Sequence, residues 1–160
     1  MTLIIIPAYD HPSEVAELFA EYTKMLIDGD PVFKEYLAIQ NYDQEILHLE
    51  DKYGMPEGRL YLAYLNEELV GCIGLRKMDE VSCEMKRLYI RKSFRGSGLG
   101  KILVEKIIQD AKEIGYKQML LDTLPFLPEA IGLYKKFGFW EISCYNDSPM
   151  EDAIYMKLEL

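Results

Sequence analysis

Between residues 86 and 101 the chain carries Lys86, Arg87, Arg91, Lys92, Arg95 and Lys101 with no acidic side chain. Inside this stretch lies Arg95-Gly96-Ser97-Gly98-Leu99-Gly100, followed by Ile102, Leu103, Ile107, Ala111 and Ile114 at helical spacing. Glycines let a backbone turn so that successive N–H groups converge on one concavity, and a helix N-terminus adds partial positive charge. Such a cradle suits a pyrophosphate, with Arg95 and Lys101 able to add charge-assisted contacts. A Walker A loop is excluded: it needs glycine where Arg95 stands and Ser or Thr where Ile102 stands. A dinucleotide-binding fingerprint fits poorly, because the loop reads GxGxG and follows a hairpin pattern rather than opening a βαβ unit. A glycine-rich turn without a ligand is the bland alternative.

Other candidates for chemistry are sparse. Glu84 lies eleven residues before Arg95, on the strand pattern that leads into the loop. It serves either as a proton acceptor or as an ion-pair partner of Lys86 and Arg87. Asp122 closes another strand pattern and ranks second, since strand-end carboxylates often cap the next helix. His11 and His48 fall in helical regions far from the loop and read as surface residues. Cys72, Cys83 and Cys144 are odd in number and outside any CxxC spacing. That pattern argues against a disulfide framework or a zinc site and places the chain in a reducing cytoplasm.

The elements that must position these residues follow from periodicity. The length of 160 residues suits one domain spanning 1–160, with no repeat or linker. The opening Met1-Thr2-Leu3-Ile4-Ile5-Ile6-Pro7 reads as a first strand rather than a signal peptide. Val15, Leu18, Phe19, Tyr22 and Leu26 mark a helix stopped by Gly29, and Ile46, Leu49 and Tyr53 a second one ending before Gly54. Residues 31–42 carry only weak periodicity. Leu60–Leu65 and Leu69–Leu75 flank a polar Asn66-Glu67-Glu68 turn and read as a hairpin. Cys83–Ile90 is a third strand, and the helix after the loop closes at Gly115. Gln118–Asp122 is a strand, Pro128–Lys136 a short helix capped by Gly138, and Trp140–Tyr145 and Ala153–Leu160 finish the sheet. The order β-α-α-β-β-β-α-β-α-β-β defines a mixed α/β fold.

With this order in place, Arg95-x-x-Gly98-x-Gly100 on a strand-loop-helix resembles the R/Q-x-x-G-x-G/A motif of the GNAT superfamily of N-acetyltransferases. Ala130-Ile131-x-Leu133-Tyr134-x-x-x-Gly138-Phe139 is similar to that family's second signature, A-x-x-L-Y-x-x-x-G-F, and the likeness covers nearly the whole chain. The resemblance implies an acetyl-CoA-dependent enzyme with no metal, transferring the acetyl group directly to a primary amine. It implies that the backbone of Leu88, Tyr89 and Ile90 faces the pantetheine arm, because this strand splays from its neighbour. Arg95, Gly96, Ser97, Gly98, Leu99, Gly100 and Lys101 would hold the pyrophosphate. Tyr134 would protonate the departing thiolate, although spacing alone makes it a core aromatic. Histone-acetylating members keep a base carboxylate on the strand of Glu84, which makes Glu84 the first candidate base.

Charge bears on the acceptor. Residues 10–58 hold twelve acidic and three basic side chains and so account for the whole net charge of −9. In the family these helices help shape the acceptor site, so the expected acceptor is a small, cationic amine, and nucleic acid is disfavoured. No apolar run approaches the ~20 residues that span a bilayer, so no membrane partner is expected, while a homodimer stays open. The competing class is a non-catalytic acyl-CoA-binding regulatory module of the same fold.

Overall fold

The computed structural model describes residues 2–39 and 42–160. The chain opens with strand β1 (Leu3–Pro7), followed by helices α1 (Pro12–Gly29), α2 (Phe33–Ile39), α3 (Tyr42–Leu47) and α4 (Leu49–Tyr53). Strands β2 (Arg59–Leu65), β3 (Glu68–Lys77) and β4 (Ser82–Ile90) come next, then α5 (Leu99–Ile114). Strand β5 (Gln118–Thr123), helix α6 (Pro128–Lys136), β6 (Trp140–Ile142) and β7 (Ile154–Glu159) complete the chain. The strands form one seven-stranded sheet in the order β1-β2-β3-β4-β5-β7-β6. Every neighbouring pair is antiparallel except β4 and β5, which run parallel because α5 carries the chain across. No helix is long and apolar enough among the described residues to cross a membrane.

The hairpin turns where polar residues announced it. Asn66 and Glu67 both take positive φ, 51° and 70°, the two-residue geometry that matches the twist of the flanking strands. The expected second helix is instead three short ones. His48, at φ −136° and ψ 62°, breaks α3 from α4, and α2 occupies the stretch whose periodicity was weak. Packing decides this: each piece turns one to three side chains inward, Phe33, Tyr36 and Leu37 from α2, Glu45 from α3, and Leu49 and Tyr53 from α4. The strand expected over residues 140–145 is shorter: only Trp140, Glu141 and Ile142 pair with β7.

Two apolar clusters cover the sheet. On one face Ala63, Ile73, Leu75, Cys83 and Met85 pack with Leu103, Val104 and Ile107 of α5. On the other, Leu60, Leu62, Cys72 and Tyr89 pack with Leu18 and Phe19 of α1 and Tyr53 of α4. Gly74 is required here, since a Cβ would come within 2.9 Å of the Tyr53 ring. A third cluster joins Leu26, Phe33, Tyr36 and Leu37 to Leu124 and Met150 at the end of the sheet where the site lies.

Candidate active site

The site begins where two parallel strands part. β4 and β5 pair only through Ser82↔Gln118, Cys83↔Met119 and Glu84↔Leu120, although β4 continues to Ile90 and β5 to Thr123. The cause lies in β4. Arg87 has φ 59°, and opposite it the register with β3 shifts between Cys72 and Gly74, a bulge. Its effect shows in the alternation of side chains. Cys83 and Met85 belong to the α5 face before the bulge, but Leu88 and Ile90 belong to it afterwards, with Tyr89 on the opposite face. The extra residue bends β4 away from β5 and leaves a strand edge of unpaired amides along the wedge.

Arg87 is anchored in turn. Its Nε and Nη2 donate to Glu45 Oε2 and Oε1 at 2.8 and 2.9 Å, and Glu45 also accepts from Lys52 Nζ at 2.6 Å and Tyr53 Oη at 2.8 Å. Both members of the pair are buried. Burial would raise the Glu45 carboxyl, but Arg87 and Lys52 outweigh it and bring it down to about 2. Helix α3 thus grips the bulge through a buried ion pair.

The wedge opens into a groove of about 740 Å³. Leu88, Tyr89 and Ile90 line it, with Arg95, Gly96, Gly98, Leu99, Gly100 and Lys101 at its far end. Gly96 and Gly98 have φ of 84° and 83°, and a Cβ on either would meet nothing within 4 Å, so a ligand can approach the backbone closely. Gly98 is the N-cap of α5, which directs the helix's N-terminal amides and dipole into the loop. Arg95 is exposed and folded back: its Nε donates to Ile90 O at 2.9 Å, and its guanidinium lies 5.6 Å from the Tyr89 ring centroid. Ser97 does not line the groove. Its Oγ donates to Phe94 O at 2.6 Å, so its role is to shape the turn.

At its inner end the groove meets a smaller cavity, and Tyr22, Leu88, Asp122, Thr123, Leu127 and Tyr134 line both. Tyr134 comes from α6 and leans on Phe139 at 5.8 Å between ring centroids. Its hydroxyl makes no hydrogen bond to any described residue. Burial raises the phenol further above its usual range, helped by Tyr22 and Asp122, so it stays protonated at neutral pH. Asp122 stands on β5 two residues past the last β4 pair. Its Oδ2 accepts from Tyr36 Oη and from Asn146 Nδ2 at 3.1 Å, while Asn146 also donates to Tyr36 Oη at 2.9 Å. Asn146 and Tyr36 carried no signal of their own in the sequence. One lies in the connection between β6 and β7, the other in the weakly periodic stretch.

Glu84 is placed differently. It is 2 % exposed, lies outside the groove, and lines a third cavity on the far side of Lys86 and Tyr36. Its Oε1 accepts from Arg76 Nε at 2.7 Å and its Oε2 from Tyr145 Oη at 2.5 Å. Burial pushes its pKa up, but Lys86, Arg76 and the Tyr145 hydroxyl together hold it below the ordinary value, opposite to the shift a general base needs. The ion-pair alternative is what this geometry favours.

The acidic helices are placed unexpectedly too. Glu17 and Glu21 bind Arg91, and Glu45 binds Arg87 and Lys52. The inner cavity takes Tyr22, Leu26, Phe33 and Tyr36 from α1 and α2, none of them acidic. The third cavity is balanced, with Glu45, Asp51, Glu84 and Asp147 against Lys52, Arg76, Lys77 and Lys86.

The sheet thus splits between its two parallel strands, with a glycine-rich loop at one end of the groove and the buried Tyr134 hydroxyl beside the half-buried Asp122 carboxylate at the other. Residues 17–139 match the profile of the acetyltransferase (GNAT) family. The chain is 34% identical to an uncharacterised N-acetyltransferase of Dictyostelium discoideum, with all of both chains covered. It is 36% identical to one of Schizosaccharomyces pombe, over 93% of this chain and 97% of that one. The fold matches PaiA N-acetyltransferase of Thermoplasma acidophilum in complex with coenzyme A, at TM-score 0.77, 18% identity and full coverage of both. The chain belongs to the acetyltransferase (GNAT) family, and its activity class is acetyl-CoA-dependent N-acetyl transfer.

Proposed function

We propose that the protein transfers the acetyl group of acetyl-CoA directly to the primary amine of a small acceptor, with Tyr134 as acid and Asp122 as base. One observation carries this: Asp122 and Tyr134 both stand where the coenzyme groove meets the inner cavity. The residues fit the coenzyme. The open cradle at Gly96 and Gly98 with Arg95 and Lys101 suits a pyrophosphate, and the unpaired edge of Leu88 to Ile90 offers amide partners to a pantetheine arm. Bound acetyl-CoA supplies an activated acyl carbon. Asp122, oriented by Tyr36 and Asn146, takes a proton from the acceptor's ammonium and frees its lone pair. Tyr134 holds a proton at Oη, in reach of the place where thiolate charge develops. Enclosure of this junction strengthens both interactions.

The acceptor arrives as an ammonium, but none of the acids of residues 10–58 lines the inner cavity, and Glu17, Glu21 and Glu45 are taken by Arg91, Arg87 and Lys52. Attraction of the cation is therefore assigned to Asp122 rather than to the helices as a whole. Free thiols at Cys72, Cys83 and Cys144 support a cytoplasmic setting.

Thiol release from acetyl-CoA with a mixed amine panel tests the reading. Asp122→Asn should lower kcat/KM by roughly 10²–10⁴, the worth of a positioned base, and Glu84→Gln by much less. Binding of acetyl-CoA without thiol release from any amine would instead identify an acyl-CoA-binding module.

A further inference from the structure

We infer that the acceptor is an α-amino acid with an apolar side chain, its carboxylate bound by Lys86 and its ammonium by Asp122. This rests on the acetyl-transfer reading above. Lys86 and Asp122 face each other by register: continuing the parallel pair Glu84↔Leu120 by two residues on each strand sets Lys86 opposite Asp122, across the opened wedge. Lys86 lines the inner cavity, and Asp122 and Tyr36 line it beside it.

Lys86 is a buried cation with little to hold it. Its side chain is 6% exposed, and its Nζ makes no hydrogen bond to any described residue. The sole carboxylate oxygen within 4.0 Å among them is Glu84 Oε1 at 3.7 Å, and that oxygen already accepts from Arg76. An ammonium carries three donors, and since no fully buried side-chain nitrogen or oxygen among the described residues lacks a partner, Nζ keeps an open side toward the cavities it lines, where a ligand's acceptor can reach it. Burial accordingly pulls its pKa down, with Glu84 only partly opposing. The neighbouring cations are differently placed, since Arg87 and Lys52 are both held by Glu45.

Opposite charges on two facing strand positions match a molecule that bears both on one carbon. An α-amino acid sets its ammonium against Asp122 and gives Lys86 the acceptor it lacks. Leu26, Phe33, Leu124 and Met150 supply an apolar wall for the side chain. A polyamine would bring a second cation toward Lys86, and a plain alkylamine would leave its donors unmet, so both are selected against.

The experiment pairs apolar L-amino acids with their decarboxylated amines, such as leucine with 3-methylbutylamine and phenylalanine with phenethylamine. The wild-type protein should favour the amino acid in kcat/KM by about 10- to 150-fold, the worth of one hydrogen bond between charged groups. Lys86→Met should collapse that ratio, chiefly through KM for the amino acid, and Lys86→Arg should restore part of it. Calorimetry of leucine against the coenzyme A complex reads the same preference without turnover and also keeps a poorly folding variant from deciding the matter. A wild-type protein that uses or binds the amines as well as the amino acids, or a ratio unchanged in Lys86→Met, overturns the inference while leaving acetyl transfer intact. Amino acids that bind through Lys86 with no thiol release from any acceptor support the Lys86–Asp122 amino-acid site but overturn the transfer reading, and with it the role of that amino acid as acceptor.

Discussion

Replacing Glu45 by Gln removes a charge from the interior while keeping the shape of the side chain. Glu45 accepts four hydrogen bonds, from Arg87 Nε and Nη2, Lys52 Nζ and Tyr53 Oη. Its carboxyl lies at about 2 against an ordinary 4.5. A depression of about 2.5 units corresponds to about 3 kcal/mol of stability at neutral pH. An independent route agrees: stripping one partner from a buried ion pair costs about 3–5 kcal/mol. Arg87 dominates this, because Lys52 is itself pushed down to about 8 by burial and by Lys86. Since the folded pKa is below the unfolded one, the contribution is complete above pH 4.5 and is lost as pH falls towards 2. Urea unfolding at pH 7 should therefore separate Glu45→Gln from the wild type by about 3 kcal/mol, and the two curves should converge as pH drops through that window. Because Arg87 is the bulge residue, the variant should also bind acetyl-CoA more weakly. Equal stability at pH 7, or a gap that persists unchanged down to the acid limit of folding, refutes the reasoning.

Tyr134→Phe should reduce kcat by roughly 10²–10⁴ while leaving the melting temperature nearly unchanged, because the hydroxyl makes no hydrogen bond to any described residue that folding would lose. Full turnover in that variant removes Tyr134 from the chemistry. Gly98→Glu should abolish the thermal shift given by acetyl-CoA and cost the free protein about 1–2 kcal/mol for a side chain at φ 83°; an unchanged shift would dissociate the loop from coenzyme binding.

Local grammar carried much of the architecture. Helix α1 runs through Gly29 and is capped by Asp30, but Gly115 stops α5 where expected, Asn66 and Glu67 turn the hairpin, and Pro128 opens α6. Each of these is settled by the backbone freedom of one or two residues and by periodicity over a dozen neighbours, so sequence suffices. The segment from residue 31 to 53 was less legible. Its three short helices are held by Tyr36, Glu45 and Tyr53 reaching Asp122, Arg87 and Gly74 on distant strands, and no local pattern encodes those partners.

The sequence by itself determined the family, the glycine-rich turn that leads into α5 and the place of Tyr134 on α6, because these depend on contiguous motifs whose spacing is fixed by one loop and one helix. Tertiary structure alone decided the rest of the site. The bulge at Arg87 turns Lys86 and Leu88 onto opposite faces despite their even spacing, so strand alternation could not forecast which side chains meet the wedge. Glu84 became an ion-pair partner because Arg76 and Tyr145, eight and sixty-one residues away, converge on it. Asp122 met Tyr36 and Asn146 from eighty-six and twenty-four residues away. The direction of a carboxylate's pKa is set by the charges and burial around it, and those neighbours are assembled only when the sheet and its covering helices close.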